Sequence, residues 1–141
     1  MNELNGYLLA MEHVNHYTNH VCTFVFDQIP RLETIEQSIK EYFQEEYVDH
    51  ALCLEYEPRL TDALYGWFFA REDECKERYR IALPERDNRV EGFLQLLFKL
   101  IDEANVNVYE IEGNDYWHAH GQYFVFDAKD VLYVLEFGAD S

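Results

Sequence analysis

Residues 122–137 read Gln-Tyr-Phe-Val-Phe-Asp-Ala-Lys-Asp-Val-Leu-Tyr-Val-Leu-Glu-Phe, two aromatic and β-branched runs divided by a short polar stretch. Such runs favour the pleated strand, and Asp127 to Asp130 supply a connection, so the segment predicts a hairpin with strands Gln122–Asp127 and Val131–Phe137. Working outward, similar runs predict strands at His20–Phe26, His50–Glu57, Tyr65–Arg71, Glu77–Leu83 and Val106–Glu112. Two amphipathic segments interrupt them. Pro30 opens the first, Arg31 to Tyr47, where Leu32, Ile35, Ile39, Phe43 and Tyr47 recur at three- and four-residue steps. The second, about Asn88 to Ala104, carries Val90, Phe93, Leu94, Leu97, Leu100 and Ile101 on a wide apolar stripe suited to packing across a sheet. Gly6–Tyr17 and Thr61–Arg80 read either way, since Ala63, Leu64, Trp67 and Phe68 also fit a helix, as does Glu72–Arg80. The expected class is α+β, with two helices packed on a mostly antiparallel sheet in one domain of 141 residues.

The order of elements reads as two strand-helix-strands halves. His20 is followed by Thr23-Phe24-Val25-Phe26-Asp27, and His120 by Tyr123-Phe124-Val125-Phe126-Asp127, at the same spacing. The plainer reading is that Phe-Val-Phe-Asp is what a strand entering a turn looks like. In architecture the chain resembles the duplicated glyoxalase and bleomycin-resistance fold, with His20 on the first strand and Glu136 on the last. That resemblance implies a small-ligand or metal-binding protein in which those two residues occupy ligand positions. The turn Asp127-Ala128-Lys129-Asp130 departs from the Asp-Pro-x-Gly turn of that family, and the second half begins near Tyr79 without a histidine.

Charge narrows the function classes. The chain carries 28 Asp plus Glu against 11 Lys plus Arg, a net charge of -17, yet 48% of its residues are hydrophobic and 16% aromatic. Disordered acidic chains lack those apolar groups, so a folded protein is expected. Its surface should repel nucleic acid and anionic membranes and attract a basic partner. The first residues, Met1 to Val14, contain no basic n-region, and no stretch approaches the roughly 20 apolar residues of a membrane span. Cys22, Cys53 and Cys75 are odd in number and widely spaced, as expected of reduced thiols in a cytoplasmic protein.

The acidity is uneven along the chain. Residues 1–70 hold 12 acids and three bases, residues 71–89 hold six of each, and residues 90–141 hold ten acids with Lys99 and Lys129. On the first predicted helix, Glu41 and Glu45 are like charges at i, i+4, and Glu45, Glu46 and Asp49 crowd its negative end, while Glu36–Lys40 is the one favourable pair. A helix optimised for stability alone would carry lysines there. Glu33, Glu36, Glu41, Glu45, Glu46 and Asp49 are therefore expected to form an acidic ridge for a basic partner, extended by Asp102, Glu103, Glu110, Glu112 and Asp115. Tyr42, Tyr56 and Tyr116 are expected as aromatic anchors. Generic solubility is the plain alternative.

Metal and catalytic signals are sparse. His13, His16 and His20 would share one face of a helix, and His118 and His120 one side of a strand, but no His-Glu-x-x-His arrangement supports a zinc site. There is no Gly-x-Ser-x-Gly elbow or Gly-rich phosphate loop, and Cys22 reads as a buried strand residue rather than a nucleophile. No cofactor and no enzymatic reaction are expected. The expected function is that of a non-enzymatic inhibitor, acting as a nucleic-acid mimic, an anti-defence protein or a toxin-immunity protein. It would occupy the basic nucleic-acid-binding surface of a partner.

Overall fold

The hairpin at residues 122–137 forms the centre of a five-stranded sheet. The computed structural model describes residues 1–16, 21–70, 83–112 and 120–140. In chain order these form α1 (Asn2–Asn15), β1 (Val21–Ile29), α2 (Ile35–Phe43), β2 (His50–Cys53), α3 (Tyr56–Phe68), α4 (Leu83–Leu100), a 3-10 turn (Glu103–Asn105), β3 (Asn107–Ile111), β4 (His120–Asp127) and β5 (Leu132–Asp140). All pairings are antiparallel and the strand order is β1-β5-β4-β3-β2. The class is thus α+β with helices on an antiparallel sheet, and there are four α-helices rather than two among the described residues. None of these helices is long and apolar enough to cross a membrane.

Helices cover both faces of the sheet, which is why β4 and β5 read as unbroken apolar runs. On one face, α1, α3 and α4 pack Leu8, Leu60, Leu64, Phe68, Phe93 and Leu97 against Phe24, Phe26, Phe124, Phe126, Leu135 and Phe137. On the other, α2, alone among the described helices, packs Ile39, with Ile35, Tyr42 and Phe43, against Ile29, Ile111, Tyr123, Val125, Leu132 and Val134. Tyr133 and Leu135 face three helices while Leu132 and Val134 face one, as the alternation of a strand requires.

The two Phe-Val-Phe-Asp copies flank β5 in parallel, and Phe26 and Phe124 both lie opposite Leu135. Among the described residues the strands do not form two equivalent halves. The strands of the first half, β1 and β2, stand at opposite edges, while β3, β4 and β5 run as a meander between them.

Local chemistry moved several boundaries. The first predicted helix shrinks from Arg31–Tyr47 to Ile35–Phe43, because Thr34 caps it by accepting the Gln37 N–H at 3.1 Å. Before the cap, the Leu32 N–H is taken by Ser38 Oγ at 2.8 Å, leaving no helical bond for it. At the other end Gln44 turns left-handed at φ 54° and swings Tyr47 off the apolar stripe into solvent, 88% exposed. The predicted strand His50–Glu57 stops at Cys53, and Tyr65–Arg71 lies largely within α3, whose Leu60, Ala63, Leu64 and Phe68 are buried at helical spacing. Pro58 sits in the first turn of α3, where its missing N–H costs no helical bond. The second predicted helix begins earlier and ends earlier, at Leu83–Leu100, because Asp102 caps a separate 3-10 turn by accepting the Ala104 N–H. The expected strand over 77–83 overlaps the start of α4 at Leu83 and otherwise lies outside the described residues.

Candidate acidic docking face

Among the described residues α2 is the one helix on its side of the sheet, and its outward face is exposed. Nine residues at about 1.5 Å each give a ridge of about 14 Å. Beside it lies an open groove of about 980 Å³ lined by Arg31, Leu32, Glu33, Gln37, Lys40, Glu41, Gln44, Glu45 and Glu46. Four carboxylates therefore meet two cations, and both cations are engaged: Arg31 with Asp127, and Lys40 with Glu36 at 3.0 Å. The Lys40 ammonium, which also sits 5.9 Å from the Tyr47 ring, holds the Glu36 carboxyl below its ordinary range. Glu33, Glu41, Glu46 and Asp49 are exposed and make no ion pair among the described residues.

The ridge differs from the expected one in its strain and its extent. Since α2 ends at Phe43, Glu45 and Glu46 follow the cap, and Glu41 and Glu45 are not one helical turn apart. Tyr42 points to the sheet instead of solvent, donating from its hydroxyl to Glu136 Oε2 at 3.2 Å. Burial, with Glu136 and Asp27 nearby, pushes that phenol well above its ordinary pKa. Tyr56 is buried and donates to the Glu103 carbonyl at 3.3 Å.

Among the described residues, the second acidic flank meets the first only where Glu112 adjoins Asp49. Glu110 points to the three-helix side, where Arg59 on α3 grips it from Nε at 3.1 Å and from Nη2 at 2.6 Å. Gln122 extends this network, donating to Glu110 at 3.4 Å and accepting the Trp67 indole N–H at 3.1 Å. Asp102 and Glu103 belong to the turn before β3, where Asn105 and the Ala104 N–H hold the Asp102 carboxyl low. Glu112 is exposed and its N–H donates to the Asp49 carbonyl at 3.0 Å, so these two residues are neighbours at the β2–β3 margin. Asp115 and Tyr116 lie outside the described residues.

Several of the remaining candidates have structural partners. His16 Nε2 donates to the Cys22 carbonyl at 2.9 Å, with the His13 ring 5.7 Å away. His20 and His118 lie outside the described residues, and His120 is exposed on β4. Glu136 accepts from Tyr42, and no group of three His, Cys, Asp or Glu side chains gathers at metal-binding distance among the described residues. The Cys22 thiol, raised by burial and by Glu12, donates to the Asn15 carbonyl at 3.5 Å. Burial and then Glu110 raise the Cys53 thiol as well, so neither side chain is an activated thiolate. Periodicity did not reveal Tyr47 or Leu54, each 88% exposed; only the helix ends uncover them.

Compared with protein families, with curated proteins and with solved structures, the chain matches none of them.

Proposed function

We propose that this protein is a non-enzymatic interaction protein whose α2 face covers the basic, nucleic-acid-binding surface of a partner protein, and so inhibits it. The nucleic-acid mimic, anti-defence and toxin-immunity forms of such an inhibitor share this physical basis. The observation that carries the reading is the group of exposed carboxylates at Glu33, Glu41 and Glu46, without an ion pair among the described residues, around a wide groove, with exposed Asp49 following in the chain. Duplex DNA presents about eight phosphate charges over 14 Å of axis, roughly half of them on one side. Glu36 and Glu41 lie on α2 itself, and Glu33, Glu45 and Glu46 flank its ends, a charge that suits a compact basic patch rather than a long channel. Opposite charge would steer association and make it sensitive to salt. The free thiols of Cys22 and Cys53 support a reducing, cytoplasmic setting within the same proposal.

The test measures binding of the chain to a panel of basic nucleic-acid-binding proteins between 50 and about 500 mM salt, with a DNA duplex as competitor. The expected result is a steep loss of affinity with salt, displacement by DNA, and at least a tenfold weakening in the triple variant Glu33→Lys, Glu41→Lys, Glu46→Lys. Binding that ignores both salt and the competitor would overturn the reading.

A further inference from the structure

The two edges of the sheet are treated differently. At β1 the outward main chain is occupied by α1: Glu12 accepts the Phe24 N–H at 3.2 Å, Asn5 accepts the Phe26 N–H at 3.1 Å, and His16 donates to the Cys22 carbonyl. At β2 no described element plays that part, and the strand pairs with β3 alone. The Glu112 N–H donates to the Asp49 carbonyl, and the register places Ala51 opposite Glu110 and Cys53 opposite Val108. By the alternation of an antiparallel ladder, His50 and Leu52 then direct their N–H and C=O groups away from the sheet.

The surroundings of that edge state what would fit it. Leu52 is 47% exposed and Leu54, two residues on, is 88% exposed, so exposed apolar side chains follow the strand. His50 leans on Tyr109, whose ring belongs to the α2 core, so Leu52 stands on the α2 side by strand alternation. Exposed acids border these side chains, before them at Glu46 and Asp49, after them at Glu55 and Glu57, and across β3 at Glu112. A second copy of the chain would bring the same charges together, so the acids disfavour pairing between two β2 edges. An extended segment carrying Lys or Arg meets the opposite condition.

We propose that the β2 edge, which the described residues leave open, accepts an extended, Lys- or Arg-rich segment of the partner protein as a sixth strand, with apolar side chains of that segment on Leu52 and Leu54. This rests on the reading of α2 as a docking face for a basic protein, and it adds the shape in which that protein binds. Main-chain bonds to His50 and Leu52 supply the pairing, and the flanking carboxylates select for positive charge. The four-residue length of β2 keeps the site weak without that charge, which suits a regulated contact.

The test uses an octapeptide of alternating lysine and valine, the same peptide N-methylated at alternate residues, and a glutamate-valine counterpart. Affinity is measured at low salt, and amide exchange is followed at His50 and Leu52. The expected result is that the lysine peptide binds and protects both amides. N-methylation should weaken it at least tenfold, and the glutamate peptide should not bind. Leu52→Pro, which removes an outward N–H and no β2–β3 bond, should weaken binding at least tenfold, whereas Leu52→Val should change it less than threefold. Equal binding of the N-methylated peptide without protection at Leu52 would overturn strand pairing and leave the acidic-face reading standing. Failure of every basic peptide to bind would overturn the edge proposal, while the acidic-face reading stands or falls by its own salt and DNA-competition test, and dimerisation abolished by Leu52→Pro would assign the edge to a second copy instead.

Discussion

Glu12 on α1 reaches across to β1 and accepts the main-chain N–H of Phe24 at 3.2 Å, closing an edge that would otherwise face solvent or another chain. Asn5 repeats the arrangement at Phe26, one outward N–H further along. Glu12→Ala or Asn5→Ala should each destabilise the protein by about 1–3 kcal/mol, the cost of leaving a partly buried donor without an acceptor. Glu12→Gln keeps an acceptor and should recover much of the loss. Urea denaturation measures the stability, and light scattering of the double alanine variant should show association through the uncovered β1 edge.

Tyr123 folds its phenol over Gly121, two residues away on the same side of β4, so a Cβ at Gly121 would lie only 2.6 Å from the ring Cζ. Tyr123 is fully buried, so the ring has little room to move. Gly121→Ala should therefore destabilise by about 1–3 kcal/mol, the range for overpacking a filled core. Adding Tyr123→Leu should relieve part of that cost, and thermal denaturation of both variants measures the coupling.

Alkaline pH should weaken the fold. Burial first, then Glu57 and Glu103, pushes the Tyr56 phenol up to about 12, while burial and then Glu136 do the same to Tyr123. Below the unfolded value of about 10 both states keep the proton and this contribution is complete. Between about 10 and 12 the unfolded chain releases protons that the folded chain retains, so stability falls as pH rises. Tyr56→Phe should make that decline shallower by up to about 1.4 kcal/mol per pH unit near pH 11. At pH 7 it should cost about 1 kcal/mol, through the lost bond to the Glu103 carbonyl.

Added salt should stabilise the free protein. A net charge of -17 repels itself in the folded state, and screening relieves that repulsion. The Arg59–Glu110 and Lys40–Glu36 pairs weaken at the same time, but exposed pairs contribute little. Raising sodium chloride from about 10 to 500 mM should add stability on the order of 1 kcal/mol, a rise of about 3–5 °C in Tm by calorimetry. A fall in Tm would show that the ion pairs outweigh the repulsion.

Much of this architecture was readable from local pattern. The runs at residues 122–126 and 132–137 required strands in any context, and Val90, Phe93 and Leu97 required a helix, because each signal is a spacing within one segment. Those same runs are apolar on both faces, and helices cover both faces of the sheet they form. Helix ends were harder to read. Thr34 caps α2, and Ser38 takes the Leu32 N–H, through bonds that periodicity does not record. Tyr65 to Phe68 carries aromatic residues that favour a strand, but the buried series Leu60, Ala63, Leu64 and Phe68 made it helical through packing on Phe93 and Phe137.

By itself the sequence determined an α+β chain with a strongly negative charge, since composition is additive and local periodicity reports which groups must leave water. The tertiary structure decided where that charge lies. It left Glu33, Glu41, Glu45 and Glu46 around one groove, turned Glu110 to the opposite side against Arg59, and drew Tyr42 inward to Glu136. It also decided that β1 is sealed by Glu12 and Asn5 while the described residues leave β2 open. The physical reason is that the total charge is the same in every arrangement of the chain. The face a carboxylate joins, and the edge a helix covers, depend on contacts between residues far apart in sequence.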